Sequence, residues 1–184
     1  TKTPDYYGAV DSINAEIRIM EEQVLMDYAI INALNAMQFR VKEYEIDNGI
    51  ITVNGHSYED PEKQTENTNF ALLVAKHFSE PFKDSNGYGE SIARLSNMLG
   101  GGVIVQRFGD LIRGRRSTPN RIEEAFITPT LNATPGDLSL VLPKRILDGI
   151  IEMIYALDKV APGTANEDTL LYGVEVKFYN MEVE

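Results

Sequence analysis

The chain has 184 residues, of which 43% are hydrophobic, and a formal net charge of -11 at pH 7. This apolar content suffices for a folded core and excludes a disordered tail, while the negative charge makes nucleic acid an unfavourable partner. The lack of cysteine excludes disulfide bonds and thiolate chemistry and fits a reducing compartment, so we expect a cytoplasmic location.

The amino-terminal segment, residues 1–46, has a mixed pattern. Apolar residues at helical spacing predict a helix over residues 20–37, although the alternation just before this range is typical of a strand. The most apolar windows fall short of the ~20 residues that a bilayer crossing needs, so we expect no membrane partner. Because the first residue is Thr1, we expect the chain to be trimmed or excised from a longer protein.

A turn signal at residues 47–49 separates two predicted strands. The second strand is the β-branched run at residues 50–53, and residues 39–46 are its expected hairpin partner. We expect the second strand to stop at Asn54 and Gly55, because this dipeptide is typical of turns.

The remaining elements alternate irregularly between strands and helices. An apolar run at residues 70–78 predicts a buried strand, and helical spacing before a glycine triplet predicts a helix over residues 88–99. Residues 103–105 favour a strand, residues 143–160 form a strong amphipathic helix pattern, and alternation over residues 170–183 predicts a last strand. This order indicates an α+β fold, with a mixed or antiparallel sheet covered by two or three helices.

Residues 107–121 are dense in arginine: they hold five of the nine arginines of the chain and a single acid. A guanidinium group binds carboxylate or phosphate through a planar, permanently charged fork. We therefore predict an anion or substrate site formed by Arg107, Arg113, Arg115 and Arg116. The alternative is that these arginines pair with acids of the same domain or of a neighbouring domain, at little net energy where they are exposed.

Two further segments carry polar groups suited to a pocket. His56 and Tyr58 follow a predicted strand and can exchange protons, so they are catalytic candidates; a structural, hydrogen-bonding histidine is the alternative. Asn67 and Asn69 lie in a polar loop. This loop either forms the wall of a substrate pocket or is a simple connection whose backbone groups are hydrogen-bonded to its own side chains. The two histidines of the chain lack a metal-ligand spacing, so no metal is predicted.

Eight blocks of the sequence carry a resemblance to a known family: residues 50–58, 65–74, 101–107, 109–111, 114–118, 135–139, 156–163 and 170–179. In sequence and order these blocks resemble uncharacterised FAD-dependent dehydrogenases, and the resemblance covers about residues 47–180. A Gly-rich dinucleotide-binding segment precedes these blocks in that family and a second flavin segment follows them, and this chain contains neither.

The resemblance implies a division into residues 1–46, a strand or helix segment without an assigned role, and residues 47–184, the substrate-side domain of a flavoprotein-like oxidoreductase. In the complete protein FAD would carry out the redox step, and the flavin-binding domain of the same chain and a small-molecule substrate are the expected partners. This chain alone is expected to be inactive and to bind FAD weakly. The alternative is a non-catalytic binding or assembly module whose arginine-rich loop docks an acidic partner.

Overall fold

The structure of the protein is a computed structural model that describes residues 39–46, 49–57, 62, 65, 67–76 and 78–176. For residues 39–46, 56 and 57 it defines the backbone. The predicted helix over residues 20–37 lies outside the described residues.

Strands β1 (Phe39–Ile46) and β2 (Ile50–Ser57) form an antiparallel hairpin, as predicted. Gly49 in the connection has a φ of 72°, a left-handed conformation that glycine adopts without a steric penalty. The expectation that the second strand stops at Asn54 and Gly55 is wrong. The strand continues because β1 is long enough to pair with the whole of β2.

A second sheet has β3 (Ile104–Arg107) at its centre. This strand is parallel to β4 (Thr134–Pro135) and antiparallel to β5 (Leu170–Gly173). The backbone N–H of Val53 donates to the carbonyl of Val174 at 3.0 Å, which joins the hairpin to the chain just after β5. The small mixed sheet and its helices confirm the predicted α+β class.

Within the described residues, four α-helices and a 3-10 turn accompany the strands. The predicted helices over residues 88–99 and 143–160 are confirmed by the two long ones, which begin and end within a few residues of the expected positions. The elements are α1 (Ser85–Gly100), α2 (Phe108–Ile112), α3 (Pro119–Glu123), the 3-10 turn Leu138–Leu140 and α4 (Lys144–Asp158).

Helix α1 is tied to the hairpin by one side chain. The Asn97 Oδ1 accepts from the backbone N–H of Ile51 at 2.7 Å, and the Asn97 Nδ2 donates to the carbonyl of Ile51 at 2.7 Å. On the same helix Ala93 and Ser96 are fully buried. Small side chains at these positions allow α1 to approach the sheets closely, so α1 joins both sheets to one core.

The core of the described part of the chain contains two apolar clusters. The first lies between the hairpin, α1 and β3, and the second between α2 and α4, where the fully buried Ile154 packs on Phe108 and Leu111. Burial of such side chains stabilises a fold by roughly 1.5–3 kcal/mol each. The buried members of the first cluster are Ile50, Ala93, Ile104, Leu138, Val141 and Val174.

One strand prediction is wrong and another is confirmed in part. Residues 70–76 and 78 are irregular and partly or largely exposed instead of forming a buried strand, because none of the strands in the described part of the chain pairs with them; the run lies beside α4. The last strand, expected over residues 170–183, is present as Leu170–Gly173 and ends there, because β3 begins at Ile104 opposite Gly173. Residues 177–184 lie outside the described residues.

The division between residues 1–46 and residues 47–184 stays a prediction. The boundary falls in the connection of the β1–β2 hairpin, whose strands are hydrogen-bonded to each other along their length.

Candidate functional site

The arginine-dense stretch folds around one buried carboxylate, that of Asp110 on α2. It begins at the last residue of β3 and continues through α2 and the following loop to α3. We call this region the arginine cluster, which comprises Arg107, Asp110, Arg113, Arg115, Arg116, Ser117, Arg121, Glu167 and Asp168.

The carboxylate of Asp110 has no exposed area and is surrounded by donors. The Arg115 Nε lies 2.7 Å from its Oδ1, and the Ser117 Oγ donates to its Oδ2 at 2.8 Å. The guanidinium groups of Arg107 and Arg121 each lie 4.0 Å away. The anion at the centre of the cluster is therefore supplied by the chain itself.

The pKa of Asp110 reflects these contacts. Burial by itself would raise the pKa, but the hydrogen bond from Ser117 and the positive charges of Arg115 and Arg121 lower it below the ordinary value. Asp110 is consequently ionised at neutral pH, and its negative charge compensates part of the positive charge of the arginines in residues 107–121.

The loop between α2 and α3 is fixed by its backbone as well. Gly114 has a φ of 63°, which reverses the chain after α2. The fully buried Gln106 donates from its Nε2 to the carbonyl of Arg115 at 2.9 Å, while its Oε1 accepts from the N–H of Leu138 at 2.8 Å. Ser117 accepts from the N–H of Arg107 at 2.9 Å. These bonds hold the loop main chain in one position.

A second carboxylate, Asp168, lies at the edge of the cluster. Arg107 donates to its Oδ1, and the backbone N–H of Phe126 donates to its Oδ2 at 2.9 Å. The hydrogen bond from Phe126 lowers the pKa of Asp168, burial opposes this, and Arg107 lowers it further. Asp168 thereby connects β3 to the segment that follows α3.

The predicted arginines differ in what they contact. Arg107 is 16% exposed and bound between Asp110 and Asp168, whereas Arg115 is half exposed and bound to Asp110. Arg113 is hydrogen-bonded to Glu167, which raises its pKa further.

Arg116 is exposed, and within the part of the chain that the structure describes no carboxylate lies within 4 Å of its guanidinium group. Its carbonyl accepts from the Nη1 of Arg121 at 3.1 Å. Arg116 is therefore the predicted arginine whose charge remains available to another molecule.

A cleft of about 820 Å³ lies between residues 67–76, α4 and β5. Its wall is mainly apolar, and its volume is within the usual range of small-molecule sites. Asn67 and Asn69 both line it, and the Asn67 Nδ2 donates to the carbonyl of Thr128 at 2.6 Å. Leu111 of α2 lines the cleft, whereas the adjacent Asp110 belongs to the arginine cluster. Helix α2 thus contributes to both regions.

Tyr172 on β5 also lines the cleft. Burial raises the pKa of Tyr172 to about 12, and contacts with the backbone of Leu131 and Thr130 oppose the rise. The phenol therefore remains protonated at neutral pH and can act as a hydrogen-bond donor but not as a base.

The structure brings the predicted residues together in two places rather than one. The arginines gather around Asp110, and Asn67 and Asn69 line the cleft. His56 lies within β2, opposite Arg40 of β1, rather than in the loop expected after the strand. Tyr58 lies outside the described residues.

Sequence reasoning did not single out three residues that organise the cluster. Asp110 was visible as the one acid within the arginine stretch, and that isolation was the available signal. Asp168 and Glu167 are more than 50 residues away from the arginines that they bind, so no local pattern indicates them.

Comparisons with known proteins identify the family of this chain. A family model described as "FAD-dependent protein, C-terminal domain-like" matches residues 29–178, and the chain belongs to this family. An uncharacterised protein of Clostridium beijerinckii is 31% identical over 137 residues, which are 70% of this chain and 25% of that protein. The chain thus spans about a quarter of the length of this curated relative. No solved structure matches.

The two long helices do not form a dinucleotide-type site for the pyrophosphate of FAD. Such groups bind at a helix N-terminus that offers free N–H groups after a Gly-rich turn. The first turn of α1 is occupied by the carboxylate of Asp84, which accepts from Gly87 at 2.7 Å, and the residues just before α4, 138–143, contain no glycine. We therefore assign no part of the flavin to these helices.

The described residues contain neither a membrane-spanning helix nor a metal-binding cluster. No helix there has the length and apolar character for a membrane crossing. The same part of the chain contains no group of three or more His, Asp or Glu side chains arranged to hold a metal ion.

Proposed function

We propose that this chain is the substrate-side part of an FAD-dependent oxidoreductase and that it positions an anionic substrate against a flavin. The flavin is bound largely by sequence outside the chain, and it supplies the redox chemistry in the complete protein. Support comes from the family of the chain and from the small share of its relative that it spans. The residues of this chain bind and orient the substrate.

The exposed guanidinium group of Arg116 carries the proposal. In a chain of net charge -11 it is a cation without a carboxylate partner among the described residues, on a loop fixed by Gln106 and Arg121. A guanidinium group can bind a carboxylate or phosphate through two parallel hydrogen bonds. Arg116 is thus suited to orient the charged end of a small substrate or a phosphate of FAD.

The other arginines have supporting roles in this proposal. Arg113 and Arg115 are each about 44% exposed, and each shares its charge with an internal carboxylate. Arg107 is largely buried between two carboxylates, so it holds the loop in place. We propose that Arg116 contacts the anion and that Arg113 and Arg115 add positive potential around it.

Asn67 and Asn69 define a different substrate position, in the cleft. If they bind substrate, its apolar body occupies the cleft, while their amides supply the polar contacts. The predicted proton-donor roles of His56 and Tyr58 stay with this proposal as predictions. Variants at Arg116 and at Asn69 distinguish the two substrate positions. Substitution of Arg116 should weaken substrate binding only if the substrate lies at the arginine cluster, and substitution of Asn69 only if it lies in the cleft.

The test uses the complete protein with its flavin. Small carboxylates and phosphates are screened for loss of flavin absorbance under anaerobic conditions, and Arg116→Ala is compared with wild type. We expect KM to rise about tenfold with little change in kcat, since a charge-assisted hydrogen bond contributes roughly 1.5–3 kcal/mol. Arg145→Ala is the matched control, because Arg145 is also exposed but lies on α4.

Two results would overturn this function. A complete protein that purifies without flavin and cannot take it up would exclude an FAD-dependent reaction. An Arg116→Ala protein that reduces its flavin normally but no longer captures an acidic partner would favour the alternative, a binding or assembly module.

A further inference from the structure

Strand β5 lies at the edge of its sheet, with β3 on one side. In an antiparallel pair, successive residues point their backbone N–H and C=O groups alternately toward the partner strand and away from it. Ile104 and Gln106 of β3 point toward β5, because the carbonyl of Val105 between them is bound on the β4 side. Their partners in β5 are Gly173 and Leu171, so these two residues are the ones bonded to β3.

The backbone groups of Leu170 and Tyr172 therefore point away from β3, to the outer edge of β5. Val174 follows them in this alternation, and its carbonyl accepts from the N–H of Val53 of the hairpin at 3.0 Å. Within the described residues, the backbone N–H and C=O groups of Leu170 and Tyr172 have no such partner. The outer edge thus offers a donor and an acceptor at each of these two positions.

The cleft runs along this edge. Every residue from 169 to 176 lines it, whereas a cavity over one face of a strand would meet only every second residue. The opposite wall is formed by residues 67–76. For residues 70–76 the described part of the chain shows no backbone hydrogen bond either. Two stretches of backbone without strand partners therefore border the same space.

The two walls share an apolar floor. Leu72 of one wall and Leu171 of the other both pack on the cluster formed by Phe108, Leu111 and Ile154. A strand residue occupies roughly 160 Å³ at the usual rise and spacings of a sheet, so a cleft of about 820 Å³ has room for about five residues.

An extended peptide matches this site better than a small apolar molecule does. A small apolar molecule would cover the outer edge of β5 and leave its N–H and C=O groups without hydrogen bonds, which is unfavourable. A strand supplies backbone donors and acceptors along its length and places alternate side chains on the apolar floor.

We infer that the cleft receives an extended strand of the flavin-binding part of the complete protein, and that this strand pairs with the outer edge of β5. The inference rests on the proposed function, which places the flavin in a part of the protein outside this chain. The second edge of the added strand faces residues 70–76, whose apolar run is typical of a strand. Because a strand and a substrate cannot fill the same cleft, the substrate lies at the arginine cluster.

The experiment measures hydrogen exchange of single amides in the complete protein. The amides of Leu170 and Tyr172 report on the added strand, and those of Leu171 and Gly173 report on the pairing of β5 with β3. We expect all four to exchange slowly in wild type. Leu73→Asp places a charge in the cleft wall. It should accelerate exchange at Leu170 and Tyr172 about tenfold, the equivalent of one net hydrogen bond, and leave the other two unchanged.

Leu140→Asp is the matched control, because Leu140 is 65% exposed and does not line the cleft. It should leave all four amides unchanged. Fast exchange of Leu170 and Tyr172 in wild type would overturn strand addition, and so would slow exchange that Leu73→Asp does not alter. If Leu73→Asp also accelerates exchange at Leu171, the sheet itself is disrupted, and the milder Leu73→Asn is used with the same expected result.

Cross-linking identifies the source of the strand. A photoreactive phenylalanine derivative is incorporated in place of Leu73 in the complete protein, and the cross-linked peptides are sequenced by mass spectrometry. We expect a cross-link to the flavin-binding part. A cross-link confined to residues 1–184, or a covalent dimer, would overturn this source of the strand.

Failure of the inference differs from failure of the proposed function. If Leu170 and Tyr172 behave as expected but Arg116→Ala leaves the KM of the substrate unchanged, strand addition is supported and anion binding by Arg116 is excluded. If KM rises in Arg116→Ala while Leu170 and Tyr172 exchange fast in wild type, anion binding is supported and strand addition is excluded. A rise of KM in Asn69→Ala would place the substrate in the cleft and would also overturn the inference.

Discussion

The arginine cluster and the cleft differ in the side chains that form them. In the cluster, charged side chains are paired and hydrogen-bonded around Asp110, so most of its charge is used internally. In the cleft, apolar side chains of α4 and of residues 67–76 form part of the wall. A high density of arginine in a sequence therefore indicates ion pairs within the protein before it indicates a binding site. Only those arginines that remain exposed can bind an anion from outside.

The largest expected effect concerns Asp110. Asp110→Ala leaves several guanidinium groups around an empty, buried position, and we expect the free energy of unfolding to fall by about 3 kcal/mol. Asp148→Ala on α4 is the control, because the Asp148 side chain is half exposed and its ion pair among the described residues is with the exposed Lys144, so its loss should change stability by less than about 0.5 kcal/mol. Urea unfolding measures both. Equal effects would show that the cluster is no more important for stability than a surface ion pair.

Lowering the pH should reduce the stability that the carboxylates of the arginine cluster contribute, whereas the apolar contacts of the cleft do not titrate. The pKa values of Asp110 and Asp168 are lowered in the folded state, so their contribution to stability is present above the unfolded value of about 4 and is lost as pH falls through the folded values. We expect the free energy of unfolding to decline below about pH 4 and to decline less in Asp110→Asn. Parallel acid curves for the two proteins would contradict this assignment.

Substitution of two neighbouring arginines should change the stability of the protein by different amounts, although the two residues are adjacent and identical in the sequence. Arg115→Ala removes a hydrogen bond to the buried Asp110 and should cost about 1.5 kcal/mol, whereas Arg116→Ala should remain within about 0.5 kcal/mol of wild type. Thermal and urea unfolding of the two variants measure this difference. A large loss in Arg116→Ala would show that Arg116 has an internal role, and would weaken its assignment to an external anion.

The smallest effect tests packing beside the cleft. A Cβ added at Gly149 in α4 would lie 3.5 Å from Val74, an ordinary contact, so Gly149→Ala should stabilise the chain by about 0.5–1 kcal/mol through helix propensity. At Gly109 in the cluster, an added Cβ would lie 2.9 Å from the Glu167 Cβ, and Gly109→Ala should destabilise instead. If both variants were stabilised, the difference in packing between the two regions would not hold.

Much of the fold was predictable because its patterns are local. Helices α1 and α4 have amphipathic spacing with Asp84 or Pro143 at the start, and β1 and β2 are adjacent around a glycine turn. The strand predicted from the apolar run at residues 70–78 is wrong, since a short apolar segment can form either a strand or an irregular, partly exposed segment. Its conformation depends on whether a strand partner is available, and sequence spacing does not reveal that.

The sequence by itself determined the α+β class, the two long helices, the hairpin and the concentration of arginine between residues 107 and 121. Tertiary structure decided which arginines are used internally, because Asp168 and Glu167 reach the cluster only after β5 pairs with β3. It also decided that Asn67 and Asn69 line a cleft apart from the arginines. The physical reason is that helical and hairpin patterns depend on near neighbours, whereas charge pairing and cavity walls depend on residues that the chain brings together from far apart.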